Sequence, residues 1–387
     1  MSRTIYCDHN STTPLDARVA QAMHDAAVAD GYNPSSSHRL GQRARARLVD
    51  ARERIAEFIG AQPAEIVLCG SGSEADNLAV FGSLYSPDAR GRHFVTVATE
   101  HHALTESAAW AQQQGFDVTI LPVDGAGRID ADEFSDALRD DTQIASVMLA
   151  NNEIGTLLPI AQLANIARRR GVVFHTDAVQ ALGKVSVNVD SLGVDMLSLS
   201  SHKFYGPKGV GLLYVRQGIR LAPIIHGGGQ EMRRRAGTEN LSGAVGTAAA
   251  MHLLAADPDE PARIGQLAEQ FRLRLGEQVD DIVFFGDPDH CLPNTVSVGF
   301  GGVDGESLAI ALDLKGICVS TGSACTSGAR EPSHILQAMN VPLHYANGSI
   351  RFSFGRLSHQ DDPMRIAETV VSEVNRLRAM SPLATRR

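Results

Sequence analysis

Between residues 65 and 215 the chain alternates two hydrophobic periods. Short runs rich in apolar residues, at 65–69, 93–98, 118–122, 144–150, 172–175, 196–199 and 209–215, read as seven buried strands. Most are separated by stretches with apolar residues three and four apart, for example 75–84, 104–114, 131–138 and 160–170, and that spacing predicts helices. Such alternation predicts an α/β fold, a mostly parallel sheet covered by helices. In such sheets ligands gather beyond the carboxyl ends of the strands. The pattern changes after about residue 255, at the charged segment Ala255-Ala256-Asp257-Pro258-Asp259-Glu260-Pro261. Beyond it the spacing predicts helix 262–278, strand 294–300, helix 305–315, strand 317–320, helix 332–339, strand 349–354 and helix 361–379. That is a smaller α+β domain.

A length of 387 residues suits two domains in one chain. No run approaches the roughly 18 apolar residues of a membrane span. The start, Met1 to Asp8, has no apolar signal stretch, so a cytoplasmic protein is expected. The net charge is −9, and an acidic protein is repelled from a phosphate backbone at long range; direct nucleic-acid binding is therefore not expected. Of the two densest positive runs, Arg168-Arg169-Arg170 reads as a solvated helix end; the other is Arg233-Arg234-Arg235. The 5 cysteines, at 7, 69, 291, 318 and 325, are odd in number and form no CxxC pair. Neither a disulfide framework nor a cysteine-only metal site is expected. A lone cysteine in a polar setting is instead a candidate nucleophile.

Three partial motifs then bear on chemistry. Gly70-Ser71-Gly72-Ser73-Glu74-Ala75-Asp76-Asn77 follows a strand and opens a helix, where free backbone N–H groups favour an anion. An ordinary serine-capped turn reads the same way. Phe174-His175-Thr176-Asp177-Ala178-Val179-Gln180 ends a strand with a carboxylate that suits a cationic ring nitrogen, or merely caps a turn. Leu197-Ser198-Leu199-Ser200-Ser201-His202-Lys203 delivers a lysine from a buried strand into a Gly/Pro-rich turn, the desolvated place a Schiff-base lysine needs. The three occur in the order that a pyridoxal phosphate site requires.

With them stand Cys7-Asp8-His9-Asn10-Ser11-Thr12-Thr13-Pro14, Thr99-Glu100-His101-His102, Asn151-Asn152-Glu153-Ile154-Gly155, Arg235-Ala236-Gly237-Thr238-Glu239-Asn240, Gly322-Ser323-Ala324-Cys325-Thr326-Ser327 and Ile350-Arg351-Phe352-Ser353. The chain thus resembles the cysteine desulfurases of the NifS/IscS type, within the class V aminotransferase group of pyridoxal phosphate enzymes. The resemblance spans nearly the whole sequence, and the cysteine-bearing segment is its most specific part. It implies an aspartate-aminotransferase-type fold with a mostly parallel seven-stranded sheet. A large cofactor-binding domain would comprise residues 15–257, and a small domain residues 1–14 and 258–387. Lys203 would hold the cofactor, Asp177 would pair with its ring nitrogen, Gln180 would bond its phenolic oxygen and His101 would stack on its ring. Gly72, Ser73, Ser200 and His202 would hold the phosphate, with Thr238 reaching across from the partner of a homodimer. Asn152 and Arg351 would orient the substrate, L-cysteine, and Cys325 would accept its sulfur as a persulfide for an acceptor protein such as an iron–sulfur scaffold.

A transaminase or lyase of the same group lacks the Cys325 segment, and a non-catalytic scaffold would not need the full set of Lys203, Asp177, His101, Cys325 and Arg351. Cys7, Cys69 and Cys318 are expected to be packing residues, and Cys291 has no assigned role. His9, His38, His226 and His334 are expected to be structural. Ser73, Ser201 and Ser11 stand where threonine, glycine and alanine are usual; none of the three removes a catalytic group.

Overall fold

The computed structural model describes residues 3–321 and 332–380. Strand β1 (Ile5–Tyr6) opens the chain. The central sheet is built from β2 (Ile66–Cys69), β3 (His93–Val97), β4 (Asp117–Leu121), β5 (Thr142–Ser146), β6 (Val173–Asp177), β7 (Met196–Ser200) and β8 (Gly211–Val215), in the order β2-β8-β7-β6-β5-β3-β4. β3, β4, β5, β6 and β7 pair in parallel, while β8 runs antiparallel to both of its neighbours. This is the expected α/β fold with a mostly parallel seven-stranded sheet. All residues of β2, β3, β5, β7 and β8 are buried. A strand buried on both faces reads as a continuous apolar run, which is why these were visible in the sequence.

Helices cover both faces, and their apolar spacing shows how. Helix Arg39–Ile59 buries Ala44, Leu48, Ala51, Ile55 and Ile59 on one side and ends at Gly60, whose φ of 75° suits a residue without Cβ. Helix Ile160–Arg169 buries Ile160, Leu163, Ala164 and Ala167, with Arg168 and Arg169 in its last turn where cations complement the helix dipole.

After residue 255, helices Glu260–Gln278 and Asp362–Met380 pack on an antiparallel sheet. Its strands are β9 (Ile282–Phe285), β10 (Thr295–Phe300), β12 (Ser320–Thr321) and β13 (Ser349–Ser353). Phe271, Leu275, Val298, Phe352, Ile366 and Val370 fill the core between them. Ile5 and Cys7 belong to this core, because β1 pairs in parallel with β11 (Ile317–Cys318). The run expected as one strand at 317–320 therefore divides. Residues 317–318 pair with β1, and 320–321 pair with β13.

Candidate active site

The carboxyl ends of β2, β3, β6 and β7 open onto a cavity of about 510 Å³. Gly72, Ser73, His101, Asn152, Asp177, Gln180, Ser200, His202 and Lys203 line it together, although they come from five separate stretches of sequence. Thr12, Asp76 and Lys208 also line it, and none of these was singled out from the sequence. A larger groove of about 850 Å³, around Phe81, Trp110 and Ile224, contains none of the candidate site residues.

The first turn of helix Gly72–Leu84 forms one end. Ser71 caps it by accepting from Glu74 N at 3.1 Å, and Glu74 in turn accepts from Gly70 N at 2.8 Å and pairs with Arg235 at 2.8 Å. The turn is thus fixed on three sides. A Cβ on Gly72 would stand 3.0 Å from Val179 and 3.3 Å from Ser200, so the approach of these segments leaves no room for one. N–H groups of a first helical turn have no partner within the helix, and an anion suits them.

Across the cavity, Asp177 ends β6. Its carboxylate accepts from Val179 N at 2.8 Å, yet burial holds its pKa up at about 6. Near it lies Asp76, buried, with Oδ1 making no hydrogen bond among the described residues. Burial and the charge of Asp177 push Asp76 well above the carboxylate range. His175, at 3.8 Å from Asp76, bonds Ser146 at 2.8 Å and Ser198 at 2.9 Å; burial drives its pKa to about 3, so it is neutral.

Lys203 enters from the turn after β7. Its Nζ donates to the carbonyls of Asn10 at 2.7 Å and Ser11 at 2.8 Å. Burial and then Arg351 bring its pKa down to about 8, against the opposing pull of Asp177 and Asp8. Such a lysine reaches its neutral form near pH 8, far more readily than an ordinary lysine, and the neutral form is the amine nucleophile. His101 caps helix His102–Gln113, accepting from Ala103 N at 3.1 Å through Nδ1. Its pKa is lowered, first by withdrawal from water and then by Lys203, although the residue keeps an exposed side; the direction leaves a neutral imidazole. His202 bonds Thr12 at 3.0 Å and is likewise lowered, first by burial.

Arg351 does not line the cavity but borders it. Its Nη1 donates to the Asn152 carbonyl and its Nη2 pairs with Asp8, each at 2.9 Å, while Nε is buried with no hydrogen bond among the described residues. Asn152 Oδ1 likewise has no hydrogen bond among them. Thr238 is exposed in the single chain and lies apart from the cavity. Cys325 falls outside the described residues.

The other cysteines have clear surroundings. Cys7 and Cys69 are buried. Cys318 is only half-buried and lies 3.9 Å from Asp313, so it contributes less to packing than expected. Cys291 donates to the Ile154 carbonyl at 3.4 Å beneath Gly155, where a Cβ would meet its sulfur at 2.6 Å. Burial raises the pKa of all four. Ser201 is accommodated by a 2.9 Å bond with Thr247 and by Gly206, whose missing Cβ would lie 2.0 Å from the Ser201 hydroxyl. His9 and His334 bond the carbonyls of Ser353 and Glu100, and His38 caps a helix. His226 lines the larger groove instead.

Residues 5–365 match the sequence profile of the aminotransferase class-V family. The chain belongs to this family, in its NifS/IscS-type cysteine desulfurase branch. It is 44% identical over 383 residues to a cysteine desulfurase IscS of Dictyoglomus turgidum, covering 99% of this chain and 97% of that protein. Among solved structures, a NifS-like protein superposes with a TM-score of 0.88 at 32% identity, over 96% of this chain and 99% of its own. The structure titled SspA in complex with cysteine gives 0.80 at 33% identity, over 91% and 99%.

Class V members depend on pyridoxal phosphate, and the cavity fits that group. It pairs an anion-accepting helix turn at one end with a buried carboxylate that forms no ion pair among the described residues at the other. The amine of Lys203 stands on the same cavity. Asn10, Asp76 and Arg235 are the functional neighbours that sequence reasoning missed as individuals. All three lay inside motifs of the sequence, but only the fold shows what they touch.

Proposed function

We propose that this chain is a cysteine desulfurase. It converts L-cysteine to L-alanine and moves the sulfur to Cys325 as a persulfide, and from there to an acceptor protein such as an iron–sulfur scaffold. The convergence of Lys203, Asp177 and a neutral His101 on one cavity carries this reading.

Bound there, pyridoxal phosphate supplies an electron sink for the amino acid's Cα. Gly72, Ser73, Ser200 and His202 would hold its phosphate, Asp177 would pair with its ring nitrogen, and Gln180 would bond its phenolic oxygen. Lys203, whose lowered pKa eases loss of its proton, would serve as amine nucleophile and then as the base for the Cα proton. His101 is uncharged and able to take up a proton at its ring nitrogen. Arg351 binds the substrate carboxylate beside Asn152; its unpartnered Nε and the Asn152 Oδ1 are donor and acceptor left free for a ligand. The Cys325 thiolate attacks the substrate sulfur. An S–S bond forms as the C–S bond breaks, its electron pair stays with carbon, and a proton there completes alanine. Burial raises the four other thiols and makes them poor nucleophiles, which favours Cys325.

The site is completed in a homodimer, where the exposed Thr238 reaches the partner's phosphate. The test is alanine production from cysteine by the protein loaded with pyridoxal phosphate. Wild type should form alanine, whereas Lys203→Ala and Cys325→Ser should both lose it, the latter with cofactor still bound. A loaded wild type that yields no alanine from cysteine would refute the reading.

A further inference from the structure

Lys184 lies four residues beyond Gln180, in the turn that follows β6. Its stem is partly exposed, but its amine points inward, donating to Gln180 Oε1 at 2.7 Å and to Asn10 Oδ1 at 2.9 Å. It forms no ion pair among the described residues. The charged groups acting on it are Lys203 and Arg351, both cations, and with burial as the first cause they push its pKa well down. An amine in this place gains nothing from a counter-charge, so its value lies in where its N–H groups point.

Charged or neutral, the amine has an N–H for each of these two oxygens. Gln180 thus turns its carbonyl oxygen toward Lys184. Its Nε2 then faces the Asn10 main-chain carbonyl, at 2.8 Å, with a second N–H left over on a side chain that lines the cavity. The same Asn10 carbonyl accepts from Lys203 Nζ at 2.7 Å. Asn10 is itself held by Asn294 at 3.0 Å and by Thr295 at 2.8 Å. The bonds from Lys184 to Gln180, from Gln180 to Asn10 and from Lys184 to Asn10 close a ring beside the reactive lysine.

We propose that Lys184 is a positioning residue: it fixes the Gln180 amide with an N–H directed into the cofactor cavity, and through Asn10 it ties that donor to Lys203. This rests on the cofactor site argued above. Without Lys184, the Gln180 oxygen loses its only donor among the described residues, and the amide keeps a single restraint.

The experiment titrates pyridoxal phosphate into four purified proteins: Lys184→Met, Lys184→Gln, Gln180→Ala and the Lys184→Met/Gln180→Ala double variant. It reads cofactor affinity, the pH at which the bound cofactor's visible absorbance titrates, and the melting temperature. Loss of one such hydrogen bond should weaken affinity by about tenfold. Lys184→Met should move the absorbance titration in the same direction as Gln180→Ala, and the double variant should move it no further. Lys184→Gln, which keeps a donor, should stay near wild type. Additive shifts in the double variant, or a Lys184→Met protein that melts lower but binds and titrates like wild type, would overturn the proposal. Should Lys184→Met fail to fold, a Lys184→Gln protein that titrates like Gln180→Ala would overturn it equally. Wild type that takes up no pyridoxal phosphate would instead remove the functional reading itself.

Discussion

At the residue scale, Asp177 and Asp76 show how two carboxyls acquire different roles from burial. Both are withdrawn from water, but Asp177 has a backbone donor in Val179 and lies under the field of Lys203, so it ionises first. Its pKa of about 6 in the free protein sets a pH window. Above it the carboxylate is charged and attracts a cationic ring nitrogen; below it the attraction is lost. Cofactor affinity measured against pH should therefore fall as pH drops through about 6. The Asp177→Asn protein should bind weakly throughout and lack this step. An unchanged step in Asp177→Asn would assign it to another group, such as the cofactor's own phosphate. These two residues also mark what the sequence could convey. Asp177 ends an apolar strand within a motif, and that was readable. The burial of Asp76 against His175 joins β6 to a helix about a hundred residues earlier in the chain, and no local pattern records it.

At the element scale, the phosphate-binding turn rests on β8. Gly211 pairs with both Cys69 of β2 and Ser200 of β7, and a Cβ there would lie 2.0 Å from the Ser71 carbonyl oxygen. Gly211→Ala should push the turn outward, weakening cofactor binding by tenfold or more for a packing strain of about 1–3 kcal/mol. Cofactor titration alongside thermal melting checks this; a folded variant with wild-type affinity would show the turn to be independent of the strand. The main-sheet strands were legible because burial on both faces makes them apolar throughout. β9 was not predicted. Its four residues lie between Asp280-Asp281 and Gly286-Asp287, and it is a half-buried edge strand. The 317–320 run gave no sign of its division, because its two halves find partners hundreds of residues before and tens of residues after it.

At the scale of the whole molecule, the first residues and the last third of the chain share one core, while the strands before residue 215 share others. No helix among the described residues is long and apolar enough to cross a membrane. The cofactor cavity takes its residues from Thr12 to Gly209, and Arg351 reaches its border from β13. If Thr238 completes the partner's phosphate site, activity exists only in the dimer. Mixing Thr238→Ala chains with Lys203→Ala chains should restore activity, since half of each heterodimer then carries an undamaged site. Proven subunit exchange without recovered activity would contradict the sharing of Thr238.

The central claim is that sulfur passes through Cys325, and one measurement addresses it directly. The protein loaded with pyridoxal phosphate is given cysteine for a single turnover, alkylated, digested and weighed by mass spectrometry. The account predicts one additional sulfur on the peptide carrying Cys325 and none on those carrying Cys7, Cys69, Cys291 or Cys318. Additional sulfur on one of those four, or undiminished alanine from Cys325→Ser, would contradict it.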